Sequence, residues 1–407
     1  MIHDSRFTIH FTPTFTFIIT ITITFTFTIT FTSTPRHNLH VSNTSHYPKS
    51  TSPLHTHNDV ILPTTANNTF TDIKDGKGPA TSLFINEATL KPILKPGEVL
   101  VRIKAFGLNR MDLLQREGRY PVPPHAPSTL GVEFSGTIAA IGPAPHHAIS
   151  NAADAEPLRE GDAVFGLAYG GAYAEYVAAD PRTLLRKPAA LSWEEAAGIP
   201  ETYMTATQAL HLVGDFRAGK SVLWHAGASG VSIAGIQLSR DAGASAVFAT
   251  AGSDEKCRLL ESELGVTRAF NYRTEDWAQG ILEATNGAGV DLIVDFIGAT
   301  YFEKNLAVAA RDARWVMLGM MGGSKLEGVD IGMLLYKRIR IEGSTLRSRD
   351  VAYQGRLKEK LAEYIPHFES GKLKVRIDTV FPMADVAKAH ELLEKNGTTG
   401  KIICTVP

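Results

Sequence analysis

Residues 222–250 read V-L-W-H-A-G-A-S-G-V-S-I-A-G-I-Q-L-S-R-D-A-G-A-S-A-V-F-A-T. An apolar run ending at Trp224 enters a turn of small residues. A helical repeat follows, with Ile233, Ile236 and Leu238 spaced to pack on a sheet, then a glycine turn and a second apolar run. That order predicts a βαβ unit whose helix N-terminus receives the pyrophosphate of a dinucleotide. Gly227, Ala228, Ser229, Gly230 and Val231 form the expected phosphate turn, because small side chains let the backbone approach closely. Counted from Gly227, the later glycines of G-x-G-x-x-G are Ser229 and Ser232. The pattern alone is therefore weak, and the βαβ context carries the reading. A helix of this shape that binds no dinucleotide is the alternative.

The second strand ends Thr250-Ala251-Gly252-Ser253, with Lys256 one turn into the next helix. A terminal carboxylate would bond a ribose 2′-hydroxyl and repel a 2′-phosphate. Hydroxyls and a lysine favour the phosphate, so the expected cofactor is NADPH. Asp254 and Glu255 read as solvated acids that complement the helix dipole.

Outward from this unit, apolar runs at 221–225, 246–250, 268–272, 290–296, 314–319 and 339–343 predict six parallel strands with helices between most of them. This is an α/β, doubly wound Rossmann pattern. Before it, short strands at 99–105, 135–141 and 162–166 with Gly/Pro punctuation predict a mostly β domain. Residues 143–160 read as a surface loop, and a helix starting at Ser192 crosses between the two parts. After Arg349 the pattern predicts one long helix to about Ser370, a strand at 375–381, a helix at 383–395 and a last strand at 401–406. Such a tail is expected to return to the first domain and leave a cleft between domains.

The 407 residues suit two domains plus a tail, and 41 basic against 42 acidic residues leave no electrostatic footprint for nucleic acid. The two cysteines, Cys257 and Cys404, lie in separate elements, which argues against a disulfide framework and suits a reducing compartment. Residues 1–65 differ in kind: Thr alternates with Phe or Ile from Phe7 to Thr34, then a Ser/Thr/His/Pro/Asn stretch follows. Threonine interrupts every apolar run, so no membrane span is expected. The segment reads first as a disordered extension, second as organelle targeting, last as a strand. The expected location is cytoplasmic, or mitochondrial if the extension is an address.

Together with the blocks at 105–142, 196–211, 270–272, 319–323 and 343–350, this unit resembles the medium-chain dehydrogenase/reductase superfamily, in its zinc-free quinone oxidoreductase branch. The Thr-Ala-Gly-Ser turn and the Ser-x-Leu-Arg-Ser-Arg block are similar to the tumour-suppressor-induced, zeta-crystallin-like type. The resemblance implies a GroES-like catalytic domain over 66–191, a Rossmann NADPH-binding domain over 192–343 and a C-terminal return over 344–407. Zinc enzymes of the superfamily carry a ligand Cys near 109–111 and a His in a Gly-His-Glu step. Here these places read Asn109-Arg110-Met111 and Gly131-Val132-Glu133, and no four-cysteine lobe exists, so no metal is expected. His125, His146 and His147 read as solvated loop histidines.

By the same resemblance, Asn109 and Tyr120 line the cleft beside the nicotinamide as catalytic residues, and Thr205 bonds its phosphate or ribose. Gly252, Ser253, Lys256 and Tyr272 surround the 2′-phosphate, while Gly319, Met320, Met321, Ser344, Thr345 and Leu346 hold the nicotinamide. Simpler readings stand beside these: Tyr272 ending a strand in solvent, and Tyr120 packing between domains. Asp112 reads as structural, and Arg347 and Arg349 as surface charges or an anion clamp. The implied function is metal-free hydride transfer from NADPH to a quinone or enone. An enoyl-thioester reductase and a non-catalytic NADPH-binding sensor or structural protein are the alternatives. A homodimer is expected through the edge strand near 339–343, because basic and apolar residues alternate over 336–341; the alternative is that Lys337, Arg338 and Arg340 protect this edge as charges.

Overall fold

Apolar runs without alternation belong to strands covered on both faces, and the six around the dinucleotide unit form one parallel sheet. The computed structural model describes residues 67–144 and 156–407. The expectations for residues 1–65, for His146 and His147, and for much of the 143–160 loop lie outside these. In the sheet, Arg268–Asn271, Ala246–Ala251, Ser221–Trp224, Val290–Asp295, Ala309–Met317 and Arg340–Gly343 stand side by side. The first strand in the chain is central, and the order reverses between it and Val290–Asp295. That reversal opens a crevice at the carboxyl ends of the two strands, where ligands of such sheets bind. Successive side chains of the central strand serve opposite faces. Val222 and Trp224 join the core under helix Gly230–Asp241, whereas Leu223 joins Phe248, Phe270 and Trp315 on the other side.

Strand Ala309–Met317 begins earlier than its apolar pattern suggests. Its pairing jumps from Ala309 to Arg314 where Asp312 takes a positive φ of 66°. The expected alternation at 336–341 is corrected more strongly. Tyr336 and Lys337 end helix Gly332–Lys337, Arg338 is left-handed at φ 54°, and the edge strand starts at Arg340. Lys337 Nζ donates to Leu306 O, Ala307 O and Ala309 O at 2.7–3.1 Å, covering carbonyls at the end of helix Phe302–Val308. Arg338 forks onto Asp312. Neither charge shields the strand edge.

The second sheet orders Ile377–Pro382, Lys401–Thr405, Val99–Gly107, Glu133–Ile141, Ala163–Leu167 and Leu184–Arg186, with Tyr176–Ala179 also pairing Val99–Gly107. The C-terminal strands do return to this sheet, Lys401–Thr405 running antiparallel to Val99–Gly107. The expected long helix after Arg349 is two, Val351–Ala362 and Ile365–Glu369. Pro366 has no N–H to continue the first. Helix Val386–Glu394 is tied to Arg110–Arg116 by a buried chain of polar groups. Arg116 donates to His390 Nδ1 at 3.1 Å, His390 Nε2 to the Tyr173 hydroxyl at 3.1 Å, and Tyr173 to Asp112 Oδ2 at 3.1 Å. Burial and the Arg116 charge push His390 down to about 3, so its ring is neutral and both nitrogens have fixed roles.

The crossing helix starts as read, with Ser192 and Glu195 exchanging bonds at 2.8 and 3.1 Å in a capping box. It breaks at Gly198 and resumes as Pro200–Thr207.

Candidate active site

The phosphate turn is built by three hydrogen bonds and one left-handed residue. Gly227 N donates to Thr250 O at 2.7 Å, bringing the turn onto the second strand. Ser229 is the N-cap of helix Gly230–Asp241 and accepts Ser232 N at 3.3 Å. Ser232 Oγ donates back to His225 O at 2.7 Å, and Ala226 takes a positive φ of 49°. Ser229 and Ser232 thus hold the turn that glycines would otherwise make. Close helix-on-strand packing, the remaining glycine duty, falls to Gly235: a side-chain carbon there would lie 2.1 Å from the Trp224 ring. Gly230 has no room either, since a Cβ would meet Lys401 at 2.7 Å and Thr202 at 3.0 Å.

At the end of the second strand, Ser253 caps helix Asp254–Leu264 and the Tyr272 phenol stands over Gly252, 2.7 Å from where a Cβ would be. Tyr272 is 41 % exposed. Lys256 Nζ donates to Asn396 O at 3.0 Å and Thr398 O at 2.8 Å, leaving one of an ammonium's three donors. Burial lowers its pKa, and Arg273, exposed beside it, adds to that. Arg273 escaped the sequence reading, although it directly follows Tyr272. Asp254 does more than complement the dipole, since it accepts Asn271 Nδ2 at 2.6 Å.

Gly319, Met320 and Met321 follow the fifth strand. Met321 N and Gly322 N donate to Phe296 O and Ile297 O at 3.0 and 2.7 Å, and Met320 and Met321 are largely exposed. Ser344 accepts Gln208 Nε2 at 2.8 Å, and Thr345 O accepts it at 3.1 Å, joining this block to the crossing helix. Leu346 is buried in the core, and its carbonyl accepts Arg349 N at 3.0 Å. On the same helix Thr205 Oγ1 is buried without a hydrogen-bond partner. An orphaned hydroxyl, a cramped glycine turn at a capped helix and a glycine under a phenol together fit a dinucleotide.

Across the cleft, Asn109 precedes helix Arg110–Arg116, and its N–H donates to Asp112 Oδ2 at 2.8 Å. Its side chain donates to Glu133 Oε1 at 2.9 Å and accepts Lys401 Nζ at 2.9 Å. Lys401 also meets Glu133 at 2.6 Å, both buried. Asp112 is structural, as read: fully buried, it accepts from Asn109, Tyr173 and Gly131, and burial raises it to about 6. Glu201 N donates to Glu133 Oε2 at 2.8 Å. Burial and the Glu133 charge push the Glu201 carboxyl up to about 8.

Tyr120 is half-buried under Arg347, whose guanidinium lies 5.4 Å from the ring centre. Burial and the Glu201 charge raise the phenol. Arg347 is not a surface charge: it is 2 % exposed, and its Nη2 has no partner. Arg349 is half-buried and stacks on Tyr353. Glu201 and Lys401 are the residues that sequence reasoning missed here. Each stands as a lone charge in an apolar run, A-G-I-P-E-T-Y-M and K-I-I-C, and that was the available signal.

The positions of the zinc ligands hold the Asn109 amide and the buried Val132 side chain. Among the described residues no group of three His, Cys, Asp or Glu stands where it could hold a metal. No described helix is long and apolar enough to cross a membrane.

Residues 264–404 match the zinc-binding dehydrogenase family and residues 95–189 the alcohol dehydrogenase GroES-like domain. Human quinone oxidoreductase is 30% identical over 318 residues, covering 77% of this chain and 90% of that protein. The zebrafish (Danio rerio) synaptic vesicle membrane protein VAT-1 homolog is 29% identical over 329 residues. That match takes in 77% of this chain but 65% of the relative, so the chain spans just under two thirds of it. The structure of Escherichia coli quinone oxidoreductase complexed with NADPH superimposes with a TM-score of 0.70 at 27% identity, covering 83% of this chain and 99% of that one. The chain belongs to the medium-chain dehydrogenase/reductase superfamily, in its zinc-independent, quinone-oxidoreductase-like branch.

Proposed function

We propose that this protein transfers hydride from NADPH to a quinone or similarly activated enone. The observation that carries the reading is the end of the second parallel strand. The strand itself ends in no carboxylate; Ser253 and the Tyr272 phenol border Gly252, and Lys256 stands one turn on with the Arg273 charge near it, which supports a setting for a 2′-phosphate. The Gly227–Gly230 turn and the capped helix would hold the pyrophosphate, and the Thr205 hydroxyl a phosphate or ribose oxygen. NADPH, when bound, supplies the hydride. The chain's own work is to orient both partners and exclude water. A quinone spreads the charge it receives over its ring, so an acceptor of this class suits a cleft of amide, phenol and carboxyl groups.

The test is a turnover panel with NADPH and NADH against a para-quinone, an ortho-quinone, an enoyl thioester and no acceptor. NADPH-dependent quinone reduction that survives chelation is expected. Thioester reduction alone would favour the enoyl reductase, and binding without turnover the sensor. Lys256→Ala should weaken NADPH binding by about tenfold or more, the scale of one charge-assisted bond, and leave NADH nearly unchanged. Equal loss for both would remove the 2′-phosphate assignment.

We further propose a homodimer through the edge strand Arg340–Gly343, whose outer edge has no neighbour among the described residues. Pairing with its own copy across a two-fold axis would satisfy the open N–H and C=O groups. A monomer in light scattering at micromolar concentration would refute it. The two buried, unpaired thiols suit the cytoplasm, the proposed location.

A further inference from the structure

Glu201 is the second residue of helix Pro200–Thr207, and its N–H is held by Glu133 Oε2 at 2.8 Å. Glu201, Thr205 and Gln208 recur at helical spacing along one face. Gln208 reaches Ser344 Oγ at 2.8 Å, so the row runs from the Glu133–Lys401 pair toward the 344–346 block. Glu201 is 6 % exposed. Among the described residues its carboxyl oxygens find no donor, yet neither is among the atoms sealed from solvent. The carboxyl therefore keeps some contact with solvent.

The groups that face it are Glu133 and Asp112, which disfavour its charge, and Lys401 and Arg347, which favour it. Burial is the largest influence and raises the carboxyl to about 8, so at neutral pH it carries a proton. Glu201 is in turn the charge that weighs most on the Tyr120 phenol. Arg347 comes from the far side of the cleft. Its Nε donates to Tyr169 O at 2.7 Å and its Nη1 to Gln115 Oε1 at 2.6 Å, which fixes the fork. Nη2 is buried and unpaired beside Gly170, where a Cβ would stand 3.1 Å away. A permanent cation with a free N–H and a neutral acid with a free O–H thus lie about one phenol.

The geometry points to Glu201 as the proton donor to the acceptor, with the free N–H of Arg347 receiving the acceptor's oxygen beside it. This rests on the quinone-reductase reading and supplies its missing proton. A C–H bond of the dihydronicotinamide would break as its hydride bonds one quinone oxygen, and the π-electron pair would shift through the ring onto the other oxygen. That oxygen takes the proton from Glu201. Hydride plus proton account for the two electrons and two hydrogens of the hydroquinone, and the Glu201 carboxylate regains its proton from water through its open edge.

The test compares pH profiles and solvent isotope effects of quinone reduction in the wild type, Glu201→Gln and Arg347→Lys, with NADPH affinity followed by nucleotide fluorescence. In the wild type kcat/KM should fall as pH rises through about 8. Glu201→Gln should lose about a hundredfold in kcat at neutral pH, the scale of general acid catalysis. It should also lose the alkaline limb and the solvent isotope effect while binding NADPH within about twofold of wild type. Arg347→Lys should raise the acceptor KM and keep the alkaline limb. A Glu201→Gln variant that retains the wild-type rate and limb overturns the proposal. A wild type that reduces no quinone overturns the function it rests on. The two failures are read from different rows of the same experiment.

Discussion

Two buried polar clusters hold the two sides of this cleft, and they differ in whether every member has a partner. In the nucleotide-binding lobe, Thr250 donates to His225 Nδ1 at 3.0 Å and His225 Nε2 to Asn305 Oδ1 at 2.8 Å. Asn305 Nδ2 donates to Asp295 Oδ2 at 3.2 Å, and Trp315 Nε1 does so at 3.1 Å. Asp295 Oδ1 accepts Ile297 N at 2.6 Å. All five side chains are fully buried, and burial keeps the His225 ring neutral. The network ties the carboxyl ends of four adjacent parallel strands, where the switch point lies. Around the cleft, Glu201, Thr205 and Arg347 each keep a group with no partner among the described residues. A buried polar group without a partner destabilises a fold. The closed network therefore reads as architecture, and the open one as a place kept for a ligand.

The contrast breaks most visibly at Asp295. Asp295→Ala leaves donors from Ile297, Gly298, Asn305 and Trp315 without an acceptor. Unpaired buried donors cost about 1–3 kcal/mol each, so a loss near ~5 kcal/mol is expected after local relaxation. A urea midpoint equal to wild type would show that the network is ornamental.

Sequence patterns carried the sheet because its strands are covered on both faces and read as unbroken apolar runs. They carried the phosphate turn because small residues before a helix have few other uses. Gly235 was not legible as the packing glycine, since its role depends on the Trp224 ring across the helix–sheet interface. Tyr336 and Lys337 were misread into the edge strand because the basic–apolar alternation over 336–341 runs across the end of helix Gly332–Lys337. The acid–base cluster was the least legible. Asn109, Glu133, Glu201, Arg347 and Lys401 come from five separate segments, and only folding brings them together. Lys256 was named from its place one turn after the second strand, whereas Thr205 entered only through the resemblance.

Glu201 sharpens the comparison through pH. Its native pKa of about 8 lies above the ordinary 4.5, so its contribution to stability is whole below about 4.5 and is lost as pH rises toward 8. Glu201→Gln removes that loss. Its stability relative to wild type should grow by about 3 kcal/mol between about pH 5 and pH 7.5, at roughly 1.4 kcal/mol per unit. Parallel unfolding curves for the two proteins over this range would mean that Glu201 ionises freely.

The smallest expected effect is the most discriminating, because its sign is opposite to that at Asp295. Thr205 Oγ1 is buried with no partner, so Thr205→Val exchanges an unpaired hydroxyl for a methyl of the same shape. Removing an unsatisfied group at constant volume is neutral or stabilising, within about 1 kcal/mol. NADPH affinity should move the other way, falling about tenfold if the hydroxyl donates to a phosphate or ribose oxygen. Urea midpoints and nucleotide fluorescence on the same preparation measure both. A variant less stable than wild type with unchanged affinity would place Thr205 among the architectural groups, and the division between the two clusters would fail at its simplest member.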